Sequence, residues 1–244
     1  MKKLKIKNDF MQFKQLDEGV TELMIYGEIR QTGLFERAFA KENDEKPDAI
    51  SSITFKEALE EVKTEKLIVR INSNGGSVSE GLAIYNQLAD FKGELITKVD
   101  GFAASAASVI FMAGVERIVP NSALLMIHNA WAYGGGNAKG FRKMADDLDK
   151  ITQPSIDVYV EKTGQEESVI KKMMDEETWI TSKEAIELGF ATQEVKEDVE
   201  LDFQQNAMLS LVIDNKNLKQ DVRKLNDLLE KLNKKEQSTW TGFF

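Results

Sequence analysis

Residues 66–91 read KLIVRINSNGGSVSEGLAIYNQLADF, and the fold class is read from them. Lys66 to Asn72 is a compact apolar run, SNGGS is a turn, and Leu82, Tyr85 and Leu88 or Ala89 recur at the spacing of one helix face. Strand, glycine turn and helix in that order make the unit of a parallel sheet, because a parallel neighbour needs a crossover long enough to hold a helix. Downstream the pattern repeats: Glu94 to Val99 predicts a strand, residues 104–113 a helix, and Glu116 to Val119 and Ala123 to His128 two further strands. Upstream, ELMIYGEIR at 22–30 has the β-branched and aromatic content of a strand, with Gly27 placed for a bulge. An α/β core with parallel pairing and right-handed crossovers follows.

Residues 31–51 read as a short helical piece and an exposed polar loop. Ser52 to Lys63 predicts a helix with Thr54 as N-cap and Glu57 closing a capping box. Beyond Gly134–Gly136, Ala138 to Lys162 predicts a long helix with a kink or break near Pro154, closed by Thr163-Gly164. Glu166 to Met174 and Ser182 to Leu188 predict two more helices, the last stopped by Gly189, and residues 190–203 return to strand-like alternation. The expected organisation is an N-terminal arm at 1–16, the α/β domain at 17–203 and a helical tail at 204–244.

In the tail, Met208, Leu211, Asn215, Leu218, Val222, Leu225, Leu229 and Leu232 alternate spacings of three and four. That is a heptad seam over about four heptads, with Leu at every d position and Asn at one a position, where it sets a parallel two-stranded register. Asp214 and Lys219 stand at g and the following e, so they can pair across a dimer. The other reading of the pattern is an amphipathic helix folded back on its own domain.

The 244 residues suffice for one large domain with an appendage or for two modest ones. A net charge of −9 argues against a general nucleic-acid binder, since phosphate neutralisation needs clustered Lys and Arg. No cysteine is present, which removes disulfides, thiolate catalysis and cysteine metal sites. Neither a signal peptide nor an uninterrupted apolar stretch of bilayer length is legible, so a soluble protein without membrane contact is expected. His128 is the one histidine, so any imidazole chemistry rests on it; one His with carboxylates is poor zinc ligation, and no metal or other cofactor is expected.

Asp100 to Gly114, DGFAASAASVIFMAG, brings small residues up to the start of an apolar helix. A helix start offers unpaired N–H groups and partial positive charge to a developing anion, which makes Ser105 the candidate nucleophile. SNGGS can present amides into a cleft, His128 ends an apolar strand, and Asp175-Glu176-Glu177 precedes Thr178-Trp179-Ile180. Each also has a plain reading: tight helix packing, a phosphate cradle or simple turn, a structural histidine, a solvated helix end. No Lys follows the glycines in the GK[ST] position, which argues against a P-loop.

In combination and in this order, the pieces resemble the Clp protease proteolytic subunit family, the ClpP-like serine peptidases. The matching blocks are INSNGGSVSEGLAIYNQL at 71–88, GFAASAAS at 101–108, PNSALLMIHNA at 120–130, KTG at 162–164 and ETWITSKEAIELGFAT at 177–192. The resemblance implies a ClpP/crotonase-type α/β fold, here followed by a coiled-coil-like helix. It also implies serine endopeptidase activity on polypeptide substrates, and homo-oligomeric rings, stacked in pairs through Gly134–Gly136 and the long helix, that enclose a chamber. Carried over by position, Ser105 matches the nucleophile and His128 the base. Gly76 and Ala106 match the oxyanion-hole amides, and Gly75, Ser77, Val78 and Asn129 fall at substrate-binding positions.

The third member departs from the family: its catalytic aspartate falls on Glu177, with Asp175 the second choice. Residues 1–20 have no clear counterpart of the family's axial loops, so an ATPase partner is left open, and the loop at 41–48 is an insertion. With Trp179 and the heptad tail, these features resemble the ClpP-like proteases of phage head maturation. That reading implies capsid or scaffold partners and a cytoplasmic location, in the host cytoplasm or a procapsid. A crotonase-type acyl-CoA enzyme, a scaffold with a vestigial site and a Ser–Lys peptidase are the alternatives.

Overall fold

A computed structural model describes residues 11–17, 19–33 and 49–193, all within the first of the two units into which the chain divides, residues 1–195. The strands are β1 (Met11–Asp17), β2 (Val20–Ile29), β3 (Lys66–Gly76), β4 (Glu94–Ala104), β5 (Glu116–Ile118), β6 (Leu124–Ile127) and β7 (Thr178–Thr181). They form one sheet in the order β1-β2-β3-β4-β6-β7, with β5 added to β4. The interior pairings are parallel, as expected, and only the outermost strands, β1 on β2 and β7 on β6, run antiparallel. Among the described residues the helices are α1 (Ser52–Glu60), α2 (Val78–Ala89), α3 (Ala106–Phe111), α4 (Ala138–Thr163), α5 (Glu167–Asp175) and α6 (Ser182–Glu187).

Alternate strand residues point to opposite faces. Leu23 and Ile25, Leu67, Val69 and Ile71, and Leu95 and Val99 therefore make one apolar face, buried in a single core with Ile84 and Leu88 of α2 and Ile110 and Phe111 of α3. The other face of the same strands is polar: the Arg70 guanidinium donates two bonds to Asp100, 2.7 Å to Oδ2 and 2.6 Å to Oδ1, and Tyr26 O–H donates to the same Oδ2 at 2.6 Å. β4 carries two partners along one edge. β5 pairs with its first half at Ile96–Lys98 and β6 with its end at Phe102–Ala104, so β6 finishes beside the carboxyl end of β4.

Several local expectations change. The segment read as an arm includes β1, whose backbone pairs with β2 from Met11 to Asp17, a pairing that the mixed Lys and apolar composition does not announce. The cap of α1 is Ser51, not Thr54: the Ser51 hydroxyl accepts from Thr54 N–H, and the Thr54 side chain at N3 accepts from Ser51 N–H. α4 runs through Pro154 without a break, because Thr152, Ser155, Ile156, Val158 and Tyr159 bury its second half and outweigh the roughly 3 kcal/mol that an interior proline costs. β3 continues through both glycines, and Gly27 marks the expected register shift, with φ of 98°. Gly164 and Gly189 take left-handed φ at the ends of α4 and α6, as anticipated. The helical piece and loop within 34–48, the strand-like alternation after 193 and the heptad tail lie outside the described residues.

Candidate active site

Ser105 stands between β4 and α3 at φ 56°, ψ −128°, a conformation that a residue with a Cβ holds at a cost of about 1–3 kcal/mol and that concentrates at functional sites. Its N–H donates to Met126 O of β6 at 2.9 Å. The same strand ends one residue before His128, so the pairing that holds the serine backbone also sets the imidazole beside its side chain. His128 Nε2 lies 2.8 Å from Ser105 Oγ.

On the far side of the ring, His128 Nδ1 is 3.5 Å from Glu177 Oε2, within ion-pair reach but longer than an ordinary hydrogen bond. The histidine side chain is 14% exposed and the glutamate 61%. Glu177 follows α5 with φ of 49°, like Ser105 a non-glycine residue at positive φ. Asp175, the other candidate acid, is engaged elsewhere: its Oδ1 accepts from Asn129 Nδ2 at 2.7 Å, which ties the loop after His128 to the end of α5.

The glycine pair that ends β3 comes up against the serine. A Cβ on Gly75 would meet Ala104 O at 2.5 Å, Ser105 Cβ at 2.7 Å and Ala106 N at 2.9 Å, so only hydrogen at this position lets the backbones approach this closely. A Cβ on Gly76 would meet Ile29 O at 2.0 Å. Ser77 is used locally: its N–H donates to Ile29 O at 2.7 Å and its hydroxyl caps α2 at Glu80 N–H. Ala106 is the first residue of α3, and Val78 the first of α2. Both line a small open cleft with Ser105, His128 and Asn129, together with Thr152, Ser155 and Tyr159 of α4 and Met174 of α5.

This is a serine with an imidazole in hydrogen-bonding reach, a carboxylate behind the imidazole, and an open cleft next to them. The Clp protease family model matches residues 40–198 of the chain. The chain belongs to the Clp protease family. It is 38% identical over 130 residues to ATP-dependent Clp protease proteolytic subunit 1 of Chlamydia trachomatis serovar D, a match covering 51% of this chain and 67% of that protein. The same subunit of Chlamydia pneumoniae is 33% identical over 147 residues, 58% and 75% of the two chains. Subunit 3 of Rhodococcus jostii is 31% identical over 137 residues, 55% and 68%. As a Clp protease family member, the chain is a ClpP-like serine-type endopeptidase with a mixed α/β fold.

Two residues in contact with this site escaped the reading of the Clp-family sequence. Ser108 enters that reading only inside a matching block and Tyr159 only within the span of the long helix, yet both reach the Ser105 backbone, Ser108 directly and Tyr159 through Ser108. Nothing in the spacing of 108 and 159 joins them; α4 packing against α3 does. No described helix is long and apolar enough to cross a membrane.

Proposed function

We propose that the chain cleaves peptide bonds with Ser105 as nucleophile, His128 as general base and acid, and Glu177 as the carboxylate that orients the imidazole. The observation that carries this is the 2.8 Å contact of Ser105 Oγ with His128 Nε2 at a strained serine backbone. With Nδ1 facing a carboxylate, the imidazole proton belongs on Nδ1, which leaves Nε2 free to accept the serine proton. Ser105 Oγ attacks the scissile carbonyl carbon as its proton passes to Nε2, and the carbonyl π electrons move to the oxygen. The oxyanion is received by the amides of Gly76 and Ala106. Ala106 opens α3, where first-turn N–H groups have no intrahelical acceptor. Gly76 follows directly on Gly75, whose backbone lies against Ala104, Ser105 and Ala106, and this closeness supports its part in the hole. Collapse of the intermediate expels the amine, which takes the proton from His128; water then repeats the sequence on the acyl-enzyme and restores Ser105.

At 3.5 Å and largely exposed, Glu177 supports a site that works slowly until assembly or substrate closes the carboxylate onto Nδ1. Assembly is proposed as homo-oligomeric, in stacked rings. It is supported by the exposed aromatics Trp131 and Tyr133, packed edge to face with centroids 5.1 Å apart, and by Phe141 on the half of α4 that has no buried residue. The substrates are proposed to be polypeptides, and more narrowly phage head and scaffold proteins, a reading supported by the heptad pattern at 204–244 and by Trp179.

A fluorophosphonate probe tests the site: the assembled protein should label at Ser105, and His128→Ala and Ser105→Ala should not. Absence of label on the assembled wild-type protein would overturn the assignment. Cleavage of a phage head protein by the wild type and not by Ser105→Ala tests the narrower reading, which fails if neither cleaves it.

A further inference from the structure

We infer that Tyr159 and Ser108 form a positioning pair that holds the backbone of Ser105 in its reactive conformation. The inference rests on the assignment of Ser105 as nucleophile. The Ser105 carbonyl collects Ser108 N–H at 2.9 Å, Val109 N–H at 3.4 Å and the Ser108 hydroxyl at 2.6 Å. The first two are what any helix start provides. The hydroxyl is an addition, and it has a further partner: Ser108 Oγ and Tyr159 Oη are 2.8 Å apart.

The direction of this chain is set by valence. A hydroxyl has one proton to donate, and a carbonyl oxygen can only accept, so the Ser108 proton is committed to Ser105 O. Tyr159 must then donate to Ser108 Oγ. Burial pushes the Tyr159 phenol above its ordinary range, so it stays protonated, and therefore a donor, at every pH at which a histidine-assisted peptidase works. A donor behind a donor strengthens the bond in front of it, and here that bond ends on the carbonyl of the strained residue.

Packing does not account for the two hydroxyls. Ser108 is 0% exposed and Tyr159 1%, among Ile110, Phe111, Ile156 and Phe190. Alanine and phenylalanine would fill the same volume without the desolvation that a buried hydroxyl costs. Serine back-bonding within a helix is common and explains Ser108 alone. It does not explain a fully buried tyrosine of another helix arriving to support that serine. What the pair gains is a third hold on a backbone whose φ of 56° would otherwise relax. Because Tyr159 belongs to α4, the long helix becomes a support of the nucleophile as well as a wall of the cleft.

The test uses the full-length assembled protein and four forms: wild type, Tyr159→Phe, Ser108→Ala and the double variant. The readouts are the rate of fluorophosphonate labelling, kcat and KM on a peptide substrate, and the melting temperature. Tyr159→Phe keeps the ring and should lower the labelling rate and kcat about 10-fold with KM unchanged, as expected for a displaced nucleophile. The double variant should label no more slowly than Ser108→Ala, since Tyr159 reaches Ser105 only through Ser108. The inference is overturned if Tyr159→Phe labels within about twofold of wild type, if its effect lies in KM alone, or if the two losses multiply. Should Tyr159→Phe not fold, Ser108→Ala decides: a wild-type labelling rate there overturns the inference and a tenfold loss at unchanged KM supports it. Failure of the wild type itself to label removes the nucleophile assignment and the inference with it.

Discussion

Glu177 is the proposed acid of the site, and its backbone shows what that position requires. It occupies the left-handed region at the end of α5, where glycine or asparagine is the usual choice and other residues cost about 1–2 kcal/mol. The conformation brings the carboxylate to His128 Nδ1 at the distance of an ion pair. Glu177→Gln, which keeps the shape and removes the charge, is therefore expected to lower kcat roughly 10- to 100-fold, short of the about 10⁴-fold that follows when a buried, hydrogen-bonded triad aspartate is neutralised. Steady-state kinetics on a peptide substrate reads this, and an unchanged kcat would remove Glu177 from the mechanism. Gly75 makes a sharper case. A methyl group there meets the backbone of residues 104 and 106 as well as Ser105 itself, and φ is 91°. Gly75→Ala should reduce Ser105 labelling by about 100-fold, the scale of a 1 Å misplacement, even where circular dichroism still shows a folded protein.

At the scale of elements, the site is made by one strand exchanging partners. β4 pairs first with β5 and then with β6, and the second pairing joins Ser105 N–H to Met126 O while ending at His128. The sheet's other face holds β2, β3 and β4 together through Tyr26, Arg70 and Asp100. Burial, followed by the hydrogen bond to Asp100, raises the Tyr26 phenol from 10.0 to about 12. The folded state thus keeps a proton that the unfolded chain releases first. The associated stability is complete below about pH 10 and is lost as pH rises through about 12. Tyr85 and Tyr159 are shifted in the same direction, so the measurement is a comparison. Urea midpoints of wild type and Tyr26→Phe should differ at pH 9 and converge by roughly pH 12, whereas a constant difference would show that the phenol proton plays no part.

For the molecule as a whole, the prediction is its mass. Trp131, Tyr133 and Phe141 are 65%, 92% and 47% exposed, a concentration of large apolar side chains that water alone does not favour. Replacing Trp131 and Phe141 by serine should lower the native mass from that of the proposed stacked-ring assembly toward that of a smaller species, with the melting temperature of the single chain little changed. Native mass spectrometry reads both forms, and an unchanged mass would assign the aromatics another role. Arg117 shows the opposite use of a large side chain. It is buried, its pKa lowered by that burial, and its guanidinium donates to the carbonyls of Phe190, Gly114, Lys162 and Gly189, thereby joining the ends of three helices.

Much of this was legible along the chain, because the signals are local or periodic. The β-unit at 66–91, the parallel core and the helix stops at Gly164 and Gly189 follow from alternation, helical spacing and the φ that glycine alone adopts cheaply. Ser105 and His128 stand out less by their own surroundings, each of which has a plain reading too, than by the order of the blocks that resemble the Clp family. Their separation could not be read, since a distance between residues 105 and 128 depends on which edge of β4 receives β6. The preference for Glu177 over Asp175 rests on the register of the resembling segment, and the turn after α5 sends Asp175 toward Asn129 and Glu177 toward the imidazole. Tyr159 is the extreme case, an apolar-face residue by its spacing whose hydroxyl acquires a partner only when α4 is laid against α3. Periodicity reports which face a residue takes. What that face meets is decided by packing between elements far apart in the chain.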